Sequence, residues 1–218
     1  MSSRSNHKTY SQIIGTAVIA QLGVWLAVVY TWTLVLGGPL NLFAFHPLLQ
    51  TLSFGILAQA ILVLQPTHTP EQKRSGQRAH ASLVAVGILL AAGGIGMIEY
   101  NKISGARPHF HAVHGYLGVA SGIVMGVQVL VGFTMWAVPV LYGGESRAKA
   151  IWKYHRWSGY AIVTLLLATI VSAAETDYNH QVIHLNLWVL AVFAVLVLLG
   201  TLPRIKLQKM GLGSMMRQ

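Results

Sequence analysis

Long apolar stretches alternate with short polar connections along the whole chain. Six such stretches, of about 19 to 26 residues each, are long enough to cross a hydrocarbon core of about 30 Å at the helical rise of about 1.5 Å per residue. They occupy residues 13–36, 43–64, 80–98, 113–138, 155–174 and 183–202. No connection is long enough to hold a soluble domain. The pattern predicts an all-α integral membrane protein with six transmembrane helices, in one domain spanning 1–218 with short tails.

Composition agrees with a chain that folds in lipid. Only 9% of the 218 residues are charged, whereas 54% are apolar. The first stretch is too long for the apolar core of a signal peptide, so we expect it to be a retained helix. Cysteine is absent, which excludes iron–sulfur clusters, thiolate metal sites, disulfides and covalent attachment of a c-type haem. Any redox centre must therefore use other ligands, and the chain contains ten histidines.

The basic residues indicate an orientation. Lys102 and Arg107 lie on one side of the predicted membrane, and the thirteen other Lys and Arg residues lie on the other. By the positive-inside rule, both termini are predicted to be cytoplasmic. The net charge of +10 is dispersed near the membrane, which favours topology and attraction to anionic lipid over binding of nucleic acid. The thirteen residues are Arg4, Lys8, Lys73, Arg74, Arg78, Arg147, Lys149, Lys153, Arg156, Arg204, Lys206, Lys209 and Arg217.

Four histidines stand at the predicted starts of helices two to five. They are His46, His80, His114 and His155, separated by 34, 34 and 41 residues. Because consecutive helices run in opposite directions, His46 and His114 would lie near the outer surface, and His80 and His155 near the cytoplasmic surface. Two imidazoles at matching depth can fill both axial positions of a haem iron in a helix bundle. A single histidine at a helix end more often anchors that end at the interface, but four in alternating register favour paired ligands.

Other residues could contribute to these sites. His111 or His184 could replace His114 as the outer ligand. Small residues follow the histidines and could let a flat macrocycle lie against the helices, or could simply allow close helix packing. These are Gly87, Gly118, Gly122 and Gly159. On the outer face, carboxylates and imidazoles could hold a ferric chelate, because both ligate iron; they are Glu99, His109, His111, Glu175 and Asp177.

Each of the four histidines stands in a short motif. The motifs are Phe45-His46-Pro47, Arg78-Ala79-His80, His114-Gly115-Tyr116-Leu117-Gly118 and Tyr154-His155-Arg156-Trp157-Ser158-Gly159. In these motifs and their spacing, and over nearly its whole length, the chain resembles the eukaryotic cytochrome b561 family, in the compact branch without a soluble catecholamine-binding domain. The resemblance implies six helices, a haem-bearing core of helices two to five, two haem b groups and commonly a homodimer. It implies His46 and His114 as ligands of the outer haem and His80 and His155 as ligands of the cytoplasmic haem.

The same resemblance implies a transmembrane ascorbate-dependent reductase. Ascorbate would be the cytoplasmic donor, and a ferric chelate or monodehydroascorbate would be the acceptor on the other side. Basic residues before the cytoplasmic ligands would attract the anionic donor, although the positive-inside pattern alone also explains most of them. These candidate donor residues are Lys73, Arg74, Arg78, Arg147, Lys149 and Lys153.

Two other functional classes remain open from the sequence. A histidine-lined transporter or proton path would use the same imidazoles without haem, although the helices lack interior carboxylates that such a path usually needs. A haem-bearing membrane anchor subunit would instead serve a quinone or a soluble redox partner.

Overall fold

The structure, a computed structural model, describes residues 15–210 and contains six long helices. Each is part of a segment long and apolar enough to cross a membrane, so the prediction of an all-α integral membrane protein with six spans is confirmed. Residues 13 and 14, Arg4, His7, Lys8, Arg217 and the side chain of Lys209 lie outside the described part. The helices are α1 (Thr16–Leu36), α2 (Phe45–Leu62), α3 (Pro70–Ser104), α4 (Val113–Ala137), α5 (Glu145–Ser172) and α6 (Leu187–Thr201).

Helices α3 and α5 begin ten residues earlier than predicted. At the start of α3, the Gln72 backbone N–H donates to Thr69 Oγ1 at 3.2 Å, and the Thr69 N–H donates to Gln72 Oε1 at 3.3 Å. This capping box, followed by proline in the first turn, starts a helix regardless of how polar the next turns are. Before α5, Gly143 and Gly144 adopt φ values of 79° and 105°, which favour glycine. The predicted starts at 80 and 155 were therefore wrong, because the apolar run marks entry into the hydrocarbon and not the beginning of the helix.

The predicted start of the sixth helix was also wrong, by four residues in the opposite direction. A single π-helical turn, Asn179–Ile183, precedes α6. Asn179 is buried and accepts from the Leu185 N–H at 2.7 Å while its amide donates to the Leu185 carbonyl at 2.9 Å. Asn186 then caps α6. The apolar residues Ile183 and Leu185 belong to a packed connection, so hydropathy alone extended the predicted helix too far.

Packing arranges the helices as two hairpins supported by a third pair. Helix α2 lies along α3, α4 lies along α5, and α1 packs closely on α6 and on α2. A Cβ at Gly23 would lie 2.8 Å from the Phe193 carbonyl oxygen, so glycine lets α1 and α6 approach. The buried core joins α1, α2, α5 and α6 through Val24, Phe54, Ala58, Val163, Leu167 and Val197.

Candidate functional site

The four histidines form two facing pairs, one near each end of the bundle. His46 and His114 are the second residues of α2 and α4, and their ring centres lie 6.1 Å apart with an interplanar angle of 85°. His80 and His155 are the eleventh residues of α3 and α5, with ring centres 6.5 Å apart and an angle of 86°. The structure thus brings together the predicted partners, although His80 and His155 lie inside their helices and not at the starts.

Both pairs have the spacing that a shared metal ion requires. Two imidazoles on opposite sides of one ion, each with a metal–nitrogen bond of about 2 Å, place their ring centres about 6 Å apart. His184 adopts a left-handed backbone conformation before α6, at φ 62°, and His111 lies beside Asp177. The residue that faces His46 is His114, so neither alternative outer ligand occupies that position.

Three of the four imidazoles are fixed by hydrogen bonds to the neighbouring helix. Nδ1 of His46 donates to the Gly94 carbonyl at 2.9 Å, that of His80 to the Ala60 carbonyl at 2.8 Å and that of His114 to the Thr169 carbonyl at 2.8 Å. A carbonyl oxygen only accepts, so Nδ1 carries the proton and Nε2 keeps a free lone pair. Histidines that ligate metals usually donate their other ring N–H in this way.

Two further side chains of α2 bind α3 in the same manner. Gln50 Nε2 donates to the Ala91 carbonyl at 2.9 Å, and Ser53 Oγ donates to the Gly87 carbonyl at 2.7 Å. A Cβ at Gly87 would lie 2.8 Å from the Leu57 side chain. Gly87 therefore lies in a close helix contact, which favours the packing alternative over a face for a macrocycle at this position.

The glycines of α4 behave differently. A Cβ at Gly118 would meet nothing within 4 Å, and one at Gly122 would touch only Ile95 at 3.8 Å. Gly118 lies one turn from His114, so this part of α4 leaves room beside the His46 pair. A Cβ at Gly132 would lie 2.7 Å from Cε1 and 3.3 Å from Nε2 of His155. Sequence reasoning missed Gly132, because it precedes His155 by 23 residues and only helix packing brings the two together.

The two pairs lie at different depths of the same bundle. The Ala60 carbonyl that binds His80 is fourteen residues beyond His46 on α2. Likewise Gln128, whose amide binds the His155 backbone, is fourteen residues beyond His114 on α4. At the helical rise of 1.5 Å per residue, the pairs are about 21 Å apart along the helix axes.

The end of the bundle nearer to His80 and His155 carries most of the basic residues, and we call it the basic end. Lys206 Nζ donates to His68 Nε2 at 3.1 Å, and Arg204 Nε donates to Gln65 Oε1 at 2.8 Å. Partial burial lowers the pKa of Lys206, and the positive charges of Arg204 and Lys73 lower this pKa further. Lys73, Arg204 and Lys206 thus form one positive cluster. Arg204 and Lys206 were not predicted as site residues, because they lie about 130 residues after Lys73 in the sequence.

The remaining candidate donor residues are spread over the same end. Arg74 and Arg78 are exposed on the extension of α3. Lys149 forms an ion pair with Glu145 at 2.6 Å, which compensates its charge. The other two are on α5: the Arg147 side chain lies against Gly143, and Lys153 Nζ lies 4.9 Å from the ring centre of Tyr154.

At the opposite end, four of the five candidate acceptor residues are brought together in two pairs, whereas Glu175 is exposed at the end of a short turn after α5. Glu99 lies 3.4 Å from His109, and Asp177 lies 3.9 Å from His111. Across residues 15–210 there is no group of three or more His, Cys, Asp or Glu side chains that could hold a metal ion by themselves.

Comparison with known proteins gives a consistent set of matches. Residues 45–180 match the family model described as eukaryotic cytochrome b561. The chain is 27% identical to the mouse transmembrane ascorbate-dependent reductase CYB561 over 131 residues, covering 60% of this chain and 51% of that protein. It is 26% identical to the mouse plasma membrane ascorbate-dependent reductase CYBRD1 over 175 residues, covering 74% and 59%. A human probable transmembrane reductase, CYB561D1, is 29% identical over 92 residues, 40% of each chain. The chain thus spans between about half and three fifths of the two mouse relatives.

Proposed function

The chain belongs to the eukaryotic cytochrome b561 family, and on this premise we propose that it is an oxidoreductase that carries electrons across the membrane by means of two haem b groups. The observation that carries the proposal is the pair of facing imidazoles at each end of the bundle, 6.1 and 6.5 Å apart. His46 and His114 would hold one haem, and His80 and His155 the other. When bound, haem with two histidine ligands supplies a one-electron carrier without an open position for oxygen.

The protein would fix the positions of the haem ligands and keep water away from the haems. Carbonyls of the neighbouring helices hold three of the four imidazoles in one tautomer, which leaves the lone pair of Nε2 available for a metal. Between the two pairs, apolar side chains such as Phe54 and Leu167 form part of the buried core. Electrons would cross this interior while the substrates stay on their own sides.

We propose that the basic end is cytoplasmic and binds the anionic donor, with ascorbate as the expected compound. The positive cluster of Lys73, Arg204 and Lys206, together with Arg74 and Arg78, would raise the local concentration of an anion. Partial burial and the nearby positive charges of Arg204 and Lys73 lower the pKa of Lys206, and a bound anion would offset these charges. Lys149 is left out of the proposed donor site, since Glu145 compensates its charge.

On the opposite face we propose the site of the acceptor, a ferric chelate or monodehydroascorbate. Glu99, His109 and His111 lie at the same end as the His46 pair and offer polar groups to such a compound. The activity would then be that of a transmembrane ferric reductase or monodehydroascorbate reductase. In this role the iron of the chelate is the substrate, whereas haem iron belongs to the protein.

The donor site can be tested by removing charge at one end only. In proteoliposomes with donor added at the basic end, the double variant Lys73→Gln/Lys206→Gln should be reduced by ascorbate about tenfold more slowly at low salt. The difference should shrink as salt rises, because exposed charges are screened beyond about 8 Å at physiological ionic strength. Reduction by a neutral hydroquinone should not change.

The matched control is Lys102→Gln, the same substitution at the opposite end. It should leave reduction from the basic end at the rate of the unmodified protein. If the double variant is also reduced at that rate under low salt, these lysines set only the topology. If ascorbate does not reduce the unmodified protein at all, the donor assignment itself is wrong.

A further inference from the structure

His155 differs from the other three candidate ligands in how it is held. Its Nδ1 is buried and has no hydrogen-bond partner among the described residues, whereas His46, His80 and His114 each donate to a carbonyl of the neighbouring helix. A ring without that bond is free to turn about its side-chain torsions unless something else fixes it.

The backbone of His155 is held instead by a glutamine of α4. Gln128 Nε2 donates to the His155 carbonyl at 2.7 Å, and Gln128 Oε1 accepts from Ser158 Oγ at 2.7 Å. A Cβ at Gly159 would lie 3.3 Å from Gln128 Nε2, so glycine leaves room for the amide. Both ends of the amide are therefore used, and the His155 carbonyl, which only accepts, fixes the N–H end of the amide towards itself. Ser158 Oγ also lies within hydrogen-bond distance of the Tyr154 and His155 carbonyls of its own helix, at 2.9 and 3.2 Å. Inside a membrane an unpaired amide is costly, which makes this arrangement strongly preferred.

The ring of His155 is limited by the next turn of α4. Gly132 lies four residues after Gln128, on the same face of the helix. A Cβ at Gly132 would come within 2.7 Å of His155 Cε1 and 3.3 Å of Nε2, so the imidazole lies directly against the α4 backbone. One face of α4 thus locates both the carbonyl and the ring of His155.

In the hairpin of α2 and α3, no glutamine donates to the backbone of a candidate ligand. Gln50 of α2 also donates to a carbonyl across the hairpin, but that carbonyl belongs to Ala91, which is not a candidate ligand. The imidazole of His80, on the same hairpin, is fixed through its own Nδ1. Gln50 therefore links α2 to α3 at a residue that is not a candidate ligand, whereas Gln128 links α4 directly to His155.

We propose that Gln128 is the positioning residue of His155: its amide, whose oxygen accepts from Ser158, holds the His155 backbone so that the imidazole meets His80 at the observed angle. The inference rests on the proposed function, in which His80 and His155 hold the haem of the basic end. It predicts that the axial geometry of this haem depends on a side chain of α4 that does not itself reach the metal position.

The test compares Gln128→Leu with Gln50→Leu in the purified full chain. Leucine keeps the approximate volume of glutamine and removes both hydrogen bonds. The g values of a low-spin ferric haem depend on the angle between its two imidazole planes, and the two haems should give two signals in the electron paramagnetic resonance spectrum. The signal of the basic-end haem is the one that disappears in His80→Ala.

Gln128→Leu should shift the g values of that signal and the midpoint potential of that haem, while the other haem keeps its values. Gln50→Leu should leave the basic-end haem unchanged. Ser158→Ala, which removes only the hydroxyl that donates to Gln128 Oε1, should give a smaller shift of the same signal. Selective loss of the basic-end haem in Gln128→Leu, with a graded shift in Ser158→Ala, would also support the role.

Unchanged g values and midpoint potentials in both Gln128→Leu and Ser158→Ala would overturn the proposal, as would equal shifts in Gln50→Leu. Failure of the proposed function has a different signature. The unmodified protein would then lack two haem signals, whatever residue 128 is.

Discussion

An imidazole can ligate iron only through a nitrogen without a proton, so the partner of one ring nitrogen decides what the other can do. In His46, His80 and His114 that partner is a carbonyl oxygen of the adjacent helix. The sequence shows that these residues are histidines and how far apart they lie, but it does not show their hydrogen-bond partners. The partners lie 20 to 55 residues away and depend on the rotation of one helix against another.

Replacing Gly132 by alanine adds one methyl group beside His155 and tests how tightly this candidate ligand is packed. In Gly132→Ala the new Cβ would stand 2.7 Å from His155 Cε1, so the ring must move away from its position opposite His80. We expect the haem content to fall from two per chain towards one, measured from the absorbance of the pyridine complex. Gly126→Ala is the control on the same helix, because a Cβ there would meet nothing within 4 Å. Full haem content in both variants would show that His155 has room to adjust.

The helices that start at the two ends of the bundle differ in the features that set where they begin. Helix α4 runs from Val113 to Ala137, within one residue of its apolar stretch, because it enters the membrane almost immediately. Helix α3 instead starts at Pro70 under a capping box and carries Lys73, Arg74 and Arg78 on an ordered helix. Hydropathy identifies the membrane-crossing part of a helix, whereas caps and glycines identify its ends, and the two signals coincide only where no polar extension exists.

The cap of α3 gives a prediction for this extension. Thr69→Ala removes the acceptor of the Gln72 N–H, which costs about 0.5–2 kcal/mol for an N-cap of this type. The backbone amides in the first turn of α3 should therefore exchange with deuterium about two- to thirtyfold faster. Thr164→Ala is the control, since its hydroxyl bonds only to the Tyr160 carbonyl in its own helix. Equal exchange at residues 71–73 in Thr69→Ala and the unmodified protein would mean that tertiary contacts, not the cap, hold this turn.

For the whole molecule, the six spans and the alternation of the four histidines followed from the sequence, because both depend on long apolar runs and antiparallel neighbours. The positive cluster did not follow from the sequence. Lys73 and Lys206 come close enough to affect each other only because α3 and the segment after α6 reach the same end of the bundle. The pairing of Lys149 with Glu145 was equally invisible in a count of basic residues. The sequence thus predicts which end is basic, and the fold determines which charges there remain uncompensated.

The central claim is that each chain holds two haem b groups, one between His46 and His114 and one between His80 and His155. Haem content per chain, measured on detergent-purified protein as the pyridine complex after extraction with acidified organic solvent, tests it most directly. We predict two extractable b-type haems in the unmodified protein and one in either His114→Ala or His80→Ala. A colourless protein would favour a histidine-lined transport path. A single haem in the unmodified protein, or two haems remaining in either variant, would contradict the two facing pairs.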